Sequence, residues 1–278
     1  MGAWEYHPSP GPADLEPFIR EREWRCCFYG ARLPASRGAS PRKGDGHAIL
    51  RDRGRIRAAA LLGGEGTALP VFDGLDDESL RALPALMEEV GFSPGRVVGM
   101  AGDVEAVSGL IGDPEEIVDY RLMRGIVAAE SPLPPEGSLI RPAGAGDFEA
   151  LLPLQEAYEL EEVLVPGHAF DARAVAAGLR DSLARQSVVV AEAGGGIVAK
   201  AQTNARGFAW DQLGGIFVKP EWRGRGIGTA VTAALRRAIE AEGRSSCLFV
   251  RNTNPAAARA YEKAGFADSG RYRIAYFS

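Results

Sequence analysis

The stretch Ile216-Phe-Val-Lys-Pro-Glu-Trp-Arg-Gly-Arg-Gly-Ile-Gly228 constrains this chain more than any other. An apolar strand ends at Lys219-Pro220, because proline cannot donate to a sheet ladder. Apolar residues then recur at Ile227, Val231, Leu235 and Ile239, and the pattern stops at Gly243. That spacing predicts a helix over 227–242 with a glycine stop. Between strand and helix, Arg223, Gly224, Arg225, Gly226 and Gly228 let the backbone approach a ligand without side-chain obstruction. Free N–H groups at a helix start, the helix dipole and two arginines suit a pyrophosphate. A flexible Arg-Gly connection would carry the same residues, so a second motif has to decide.

With 278 residues, 46% of them hydrophobic, the chain can build one large domain or two of ordinary size. Its three cysteines, Cys26, Cys27 and Cys247, are odd in number and two are adjacent. Neither a disulfide framework nor metal-ligand spacing follows, so no metal site is expected and a reducing compartment is. Pro8, Pro10, Pro12 and Pro17 interrupt the start, which lacks the apolar core of a signal peptide. With no long uncharged apolar run, the expectation is a soluble, cytoplasmic protein without membrane contact. The net charge of −5 comes from an acid excess in residues 1–130, and the remainder is close to neutral. Neither part has the basic excess of a nucleic-acid-binding domain.

In the N-terminal part the pattern predicts a helix over 13–33, strands at 47–50, 56–62 and 68–72, a helix over 76–90, a strand at 96–100, a helix over 103–111 and a strand at 117–123. Arg51, Arg53, Arg55 and Arg57 alternate about the first hairpin. They read as a solvated face and turn, with an anion site as the sharper alternative. Ser131-Pro-Leu-Pro-Pro-Glu-Gly137 cannot propagate a helix or a central strand, which makes 131–137 a linker between domains at 1–130 and 138–278. After it come a strand at 138–141, helices from Asp147 to about 162 and over 171–184, and a hairpin of 187–193 and 197–203 about three glycines. A strand over 208–218 delivers the chain to the glycine turn, and a strand follows the next helix at 246–250. The last elements are a helix over 255–264 and a strand over 271–277.

The last of these helices holds the second motif, Asn254-Pro-Ala-Ala-Ala-Arg-Ala-Tyr-Glu-Lys-Ala-Gly-Phe266. Asn254 suits the N-cap, Pro255 the first turn and Gly265 the stop. Ala257, Ala260, Tyr261 and Ala264 form a small apolar face that allows close packing. Taken with Arg223-x-x-Gly226-x-Gly228, then helix, strand and Asn254 seven residues before Tyr261, residues 138–278 resemble the GNAT superfamily of N-acetyltransferases. The resemblance implies a mixed α/β fold whose central sheet is mostly antiparallel and flanked by helices. It also implies acetyl-CoA as the acyl donor. Coenzyme A contacts fall to the backbone of Phe217 and Val218, to Arg223, Gly224, Arg225, Gly226, Ile227, Gly228 and Thr229 at the cradle, and to Asn254 and Tyr261 along the pantetheine arm. Tyr261 resembles the family's general acid.

Direct attack of an amine on a thioester needs both reactants held in line, a donor for the developing oxyanion, a proton for the leaving sulfur and a base for the amine. Candidate bases are Glu161, Glu162, Asp211 and His168, with Glu162 ranked first. The front half repeats the strand and helix order of the back half, which reads as a duplicated, tandem GNAT-like architecture. Where the cradle should recur it has Phe72-Asp-Gly-Leu-Asp-Asp-Glu78, whose acids repel a phosphate. The N-terminal copy is thus expected to be degenerate. The expected function is an acyl-CoA-dependent N-acyltransferase acting from the C-terminal domain on a small-molecule or peptide amine, with an acyl-CoA-binding regulatory module as the alternative. Tyr158, Glu161, Glu162, Trp210 and Asp211 suggest a cationic acceptor. The oligomeric state is not legible.

Overall fold

A computed structural model describes residues 3–34, 36, 44–75, 77–126, 133–164 and 169–278. The chain forms two compact units, one of residues 1–122, 206–210 and 269–278 and the other of residues 123–205 and 211–268. The hairpin tip at 206–210 and the last ten residues thus count with the first unit, whereas the sequence pattern places them in the second domain.

The first unit begins with strand β1 (Trp4–Pro8), helix α1 (Leu15–Gly30), and strands β2 (Gly46–Asp52), β3 (Arg55–Gly63) and β4 (Thr67–Phe72). Helices α2 (Asp77–Arg81) and α3 (Leu83–Glu89), strand β5 (Arg96–Met100), helix α4 (Ala101–Ile111) and strand β6 (Glu116–Gly125) follow. Strands β1 to β4 pair antiparallel in chain order, whereas β4 and β5 are parallel, which makes the sheet mixed. The single helix expected over 76–90 is two helices, because Pro84 lies in the first turn of α3 and cannot continue a helix from α2. Residue 76 lies outside the described residues. Strand β1 was not expected: the prolines at and beyond its end masked a strand that pairs with β2 from Trp4↔Leu50 to Pro8↔Gly46. The arginine row is broken by a turn at Arg53 (φ 48°) and Gly54 (φ 78°), and Arg51 is tied to Asp14 and Glu5. Acids therefore take the first arginine of the row.

The second unit opens with strand β7 (Leu139–Pro142) and helix α5 (Phe148–Tyr158), which runs into a π-helical turn at Glu159–Val163. Helix α6 (Ala172–Arg185) starts at Asp171, whose carboxylate caps the N–H groups of Arg173 and Ala174. Strands β8 (Val188–Ala193), β9 (Gly196–Arg206) and β10 (Trp210–Val218) lead to helix α7 (Ile227–Ala241). Strand β11 (Ser245–Arg251), helix α8 (Pro255–Lys263) and strand β12 (Phe266–Tyr276) complete the chain. The sheet order here is β11-β10-β9-β8-β7, and the last residues of β12 pair antiparallel with β5 in the first unit's sheet.

Both faces of the second unit's sheet are covered. On one, Val231, Leu235 and Ile239 of α7 pack with Leu213, Leu248 and Phe266. On the other, Leu151 and Leu154 of α5 and Leu179 of α6 pack with Val190, Ile197 and Phe217. Each such side chain stabilises the fold by roughly 1.5–3 kcal/mol when fully buried. Arg236 is 2% exposed. Its guanidinium donates to the carbonyls of Ala264 (2.9 Å) and Ile126 (3.1 Å) and to Glu240, which compensates its burial and ties α7 to the end of α8. No helix among the described residues is long and apolar enough to cross a membrane.

Candidate functional site

The end of β10, the turn and the first residues of α7 form one wall of a cleft of about 440 Å3. Gly224 (φ 75°) and Gly226 (φ 80°) are left-handed, and Gly226 is the N-cap of α7. A side chain at either position is strained. No side chain caps this helix, so its first N–H groups are available to a ligand. A Cβ on Gly228 would sit 3.3 Å from Val218 Cγ2; glycine there lets the helix close onto the strand.

The two arginines take different paths. Arg223 donates through Nε to the Val218 carbonyl (3.0 Å) and through Nη2 to Glu161 Oε2 (2.8 Å). Arg225 donates to the Glu221 carbonyl (3.1 Å) and lies 4.7 Å from the Trp222 ring centre.

Helix α8 and the π-helical turn supply the other side. Asn254 caps α8 by accepting the Ala257 N–H (3.0 Å) and donates to Glu162 Oε1 (3.2 Å). An amide has two N–H donors, so one remains for a ligand. Tyr261 lines the same cleft at 9% exposure. Burial, then the neighbouring Tyr158 and Glu162, hold its hydroxyl well above the ordinary phenol range, and it is protonated at neutral pH. Burial also raises the half-buried Glu162, with Glu161 adding to the rise, while Arg251, Arg223 and the Asn254 bond oppose it.

The structure thus gathers Glu162, Phe217, Val218, Arg223, Gly224, Gly226, Ile227, Gly228, Thr229, Asn254 and Tyr261 around one cleft. Two base candidates fare differently. Asp211 is fully buried and accepts from Arg244 Nη2 at 2.6 Å and Nε at 3.1 Å, so it is a structural ion pair and not a base. His168 lies outside the described residues. Of the aromatic candidates, Tyr158 packs edge-on against Phe217 (6.4 Å between ring centres), and Trp210 belongs to the first unit.

Residues 184–268 match the family model of the acetyltransferase (GNAT) domain. This segment is similar to a GNAT domain. It contains the turn, Asn254 and Tyr261, while Glu161 and Glu162 precede it. The fold likeness extends over the whole chain. A tandem GNAT protein from the clavulanic acid biosynthesis pathway, determined without AcCoA, is similar with 15% identity and a TM-score of 0.62, over 98% of this chain and 97% of that one. A GNAT-family acetyltransferase from Colwellia psychrerythraea (12%, TM-score 0.59) covers 99% of this chain and 100% of its own. A GCN5-related N-acetyltransferase from Sphaerobacter thermophilus (19%, TM-score 0.58) covers 98% and 94%. These likenesses are of fold: two GNAT-like halves in tandem, each with a mixed sheet flanked by helices. No curated protein sequence matches the chain.

One residue of the GNAT domain has no counterpart among the sequence-predicted site residues. Lys200 of β9 is fully buried. Its Nζ donates to the Gly215 carbonyl (2.9 Å) and Gln202 Oε1 (3.2 Å) and lies 5.0 Å from the Tyr158 ring centre. Burial lowers it from the ordinary 10.5 to about 7, against the opposing pull of Glu159. The available signal was a lysine between two alanines in the apolar run 197–201.

Proposed function

We propose that the second unit is an acyl-CoA-dependent N-acyltransferase that moves an acetyl group from acetyl-CoA to a primary amine. What carries the reading is the convergence of an uncapped helix start, a glycine turn, Asn254, Tyr261 and Glu162 on one cleft. The donor set fits a coenzyme A pyrophosphate: backbone N–H groups at the start of α7, no side chain at Gly224, Gly226 or Gly228, and Arg223 and Arg225 beside them. Acetyl-CoA supplies an activated acyl thioester.

The chain's own groups then have distinct tasks. The backbone of Phe217 and Val218 and the second N–H of Asn254 hold the pantetheine arm, and Ile227 and Thr229 at the helix start complete the cradle. Tyr261, kept protonated by burial, gives its hydroxyl proton to the departing sulfur. Glu162, raised above the ordinary carboxylate value by burial and facing the same cleft, takes the proton from the attacking amine. Glu161 and Glu162 together favour a cationic acceptor.

The test is release of free coenzyme A from acetyl-CoA across a panel of polyamines, aminoglycosides, amino acids and peptide amines. One class should stimulate release, and silence across the panel overturns the reading. Tyr261→Phe should lower kcat by about 100-fold or more while acetyl-CoA affinity stays within about twofold. A fall of less than about threefold in Glu162→Gln, under 1 kcal/mol, removes Glu162 from the mechanism.

A further inference from the structure

Lys200 is a costly residue where it stands. A buried amine loses hydration that an aliphatic side chain of similar length would not need, yet the strand beside it is shaped to receive it. Gly215 in β10 has φ 55°, and a Cβ there would lie 2.9 Å from Lys200 Nζ and 2.8 Å from Gln202 Cγ. The neighbouring Gly214 leaves room in the same way for Asn204, whose Nδ2 would otherwise clash. Lysine and glycine are therefore complementary: the missing side chain admits the amine, and the amine binds the carbonyl of the residue that made room.

Three residues farther along β10 the chain reaches Val218 and the cleft. Ile216, Phe217 and Val218 all line it, so the direction their backbone takes is set at the irregular Gly215. Lys200 also reaches the cleft through side chains. Its Nζ lies against Tyr158, which packs on Phe217. The groups facing the amine are Tyr158 from α5, Glu159 from the π-helical turn, the Gly215 carbonyl from β10 and Gln202 from β9, itself bonded to Ser182 of α6.

We propose that Lys200 is a positioning residue for acyl transfer: by holding the Gly215 carbonyl it sets the backbone of Ile216, Phe217 and Val218 against the acyl end of the donor. This rests on the acyltransferase reading above. A thioester carbonyl must sit against strand N–H groups with little tolerance, because preorganised donors stabilise charge only where they already point. The pyrophosphate cradle, several residues beyond, does not depend on this contact. Loss of Lys200 should therefore cost turnover and spare coenzyme A binding.

The experiment compares the full chain with Lys200→Met and Lys200→Gln. Turnover is measured with the best amine of the panel, coenzyme A affinity by calorimetry, and amide hydrogen exchange across residues 216–218. In Lys200→Met, kcat should fall at least tenfold, coenzyme A affinity should stay within twofold, and exchange at 216–218 should accelerate at least tenfold. Lys200→Gln keeps an N–H for the carbonyl and should recover part of kcat, a graded response that loss of folding does not produce. Wild-type kcat in both variants with unchanged exchange overturns the positioning role and leaves the acyltransferase reading standing. Absence of turnover in the wild-type chain with every amine overturns both.

Discussion

The titration of Lys200 should be visible in the stability of the protein. Folding lowers this amine from the ordinary 10.5 to about 7. Between those values the unfolded chain binds a proton that the folded chain does not, so stability rises with pH across that window. The penalty is complete below pH 7 and is gone above about 10.5. Replacing Lys200 with methionine removes the titration and leaves a pH-independent offset, because the Gly215 carbonyl and Gln202 lose their donor. All other titrating groups are common to both proteins and cancel in the difference. Integrating the two proton-binding curves from pH 7 to pH 9, the wild type should gain about 2 kcal/mol over Lys200→Met. Urea unfolding of both chains at the two pH values, followed by tryptophan fluorescence, gives the gap from midpoints and slopes. A gap constant to within about 0.5 kcal/mol would refute a titration lowered to about 7, because that lowering alone integrates to about 2 kcal/mol between the two pH values. That constant gap is what a Lys200 charged in the fold and held by Glu159 would give, because both states then keep the proton throughout this range.

Gly226→Ala places a Cβ at φ 80°, a strain of about 1–2 kcal/mol, and coenzyme A affinity measured by calorimetry should fall about tenfold. Glu161→Gln frees Arg223 from an exposed ion pair worth up to about 1 kcal/mol; coenzyme A should bind up to about fivefold tighter, and less so at high salt. Calorimetry on the full chain should find one coenzyme A site, and two equivalent sites would overturn the view that only the second unit has a cradle.

The elements legible in the sequence are those whose signals are local. Gly224 and Gly226 are left-handed because no other residue does this cheaply, and Asn254 caps α8 with the residue type and Pro255 that announce a helix start. What was not legible depends on partners far along the chain. Asp211 reads as a strand acid near the cofactor strand, and nothing beside it reveals Arg244 as its buried partner, 33 residues on. Lys200 shows in the sequence only as a lysine between two alanines, because its burial depends on Gly215 across the sheet. The non-helical backbone of Cys26 inside α1 (φ −144°, ψ 37°) has no local sequence marker at all.

The same distinction bears on the view that the fold occurs twice in the chain and the proposed cradle once. In the first unit β4 and β5 pair in parallel at Thr67↔Arg96 and Ala68↔Val97. At the end of β4 the Phe72 N–H donates to Asp103 Oδ2 (3.4 Å), a carboxylate from the first turn of α4. Beyond Phe72, Asp73 is bonded to Arg22 (2.7 Å), and the sequence after it is acidic where that after β10 holds arginine and glycine. The sheet geometry comes from strand order and core packing, which the substitutions leave intact. The proposed phosphate site rests on three glycines and an uncapped helix start, and acids on the N–H groups or in the turn would repel the anion. Burial raises Asp103 to about 6 despite Arg25 and the Phe72 bond.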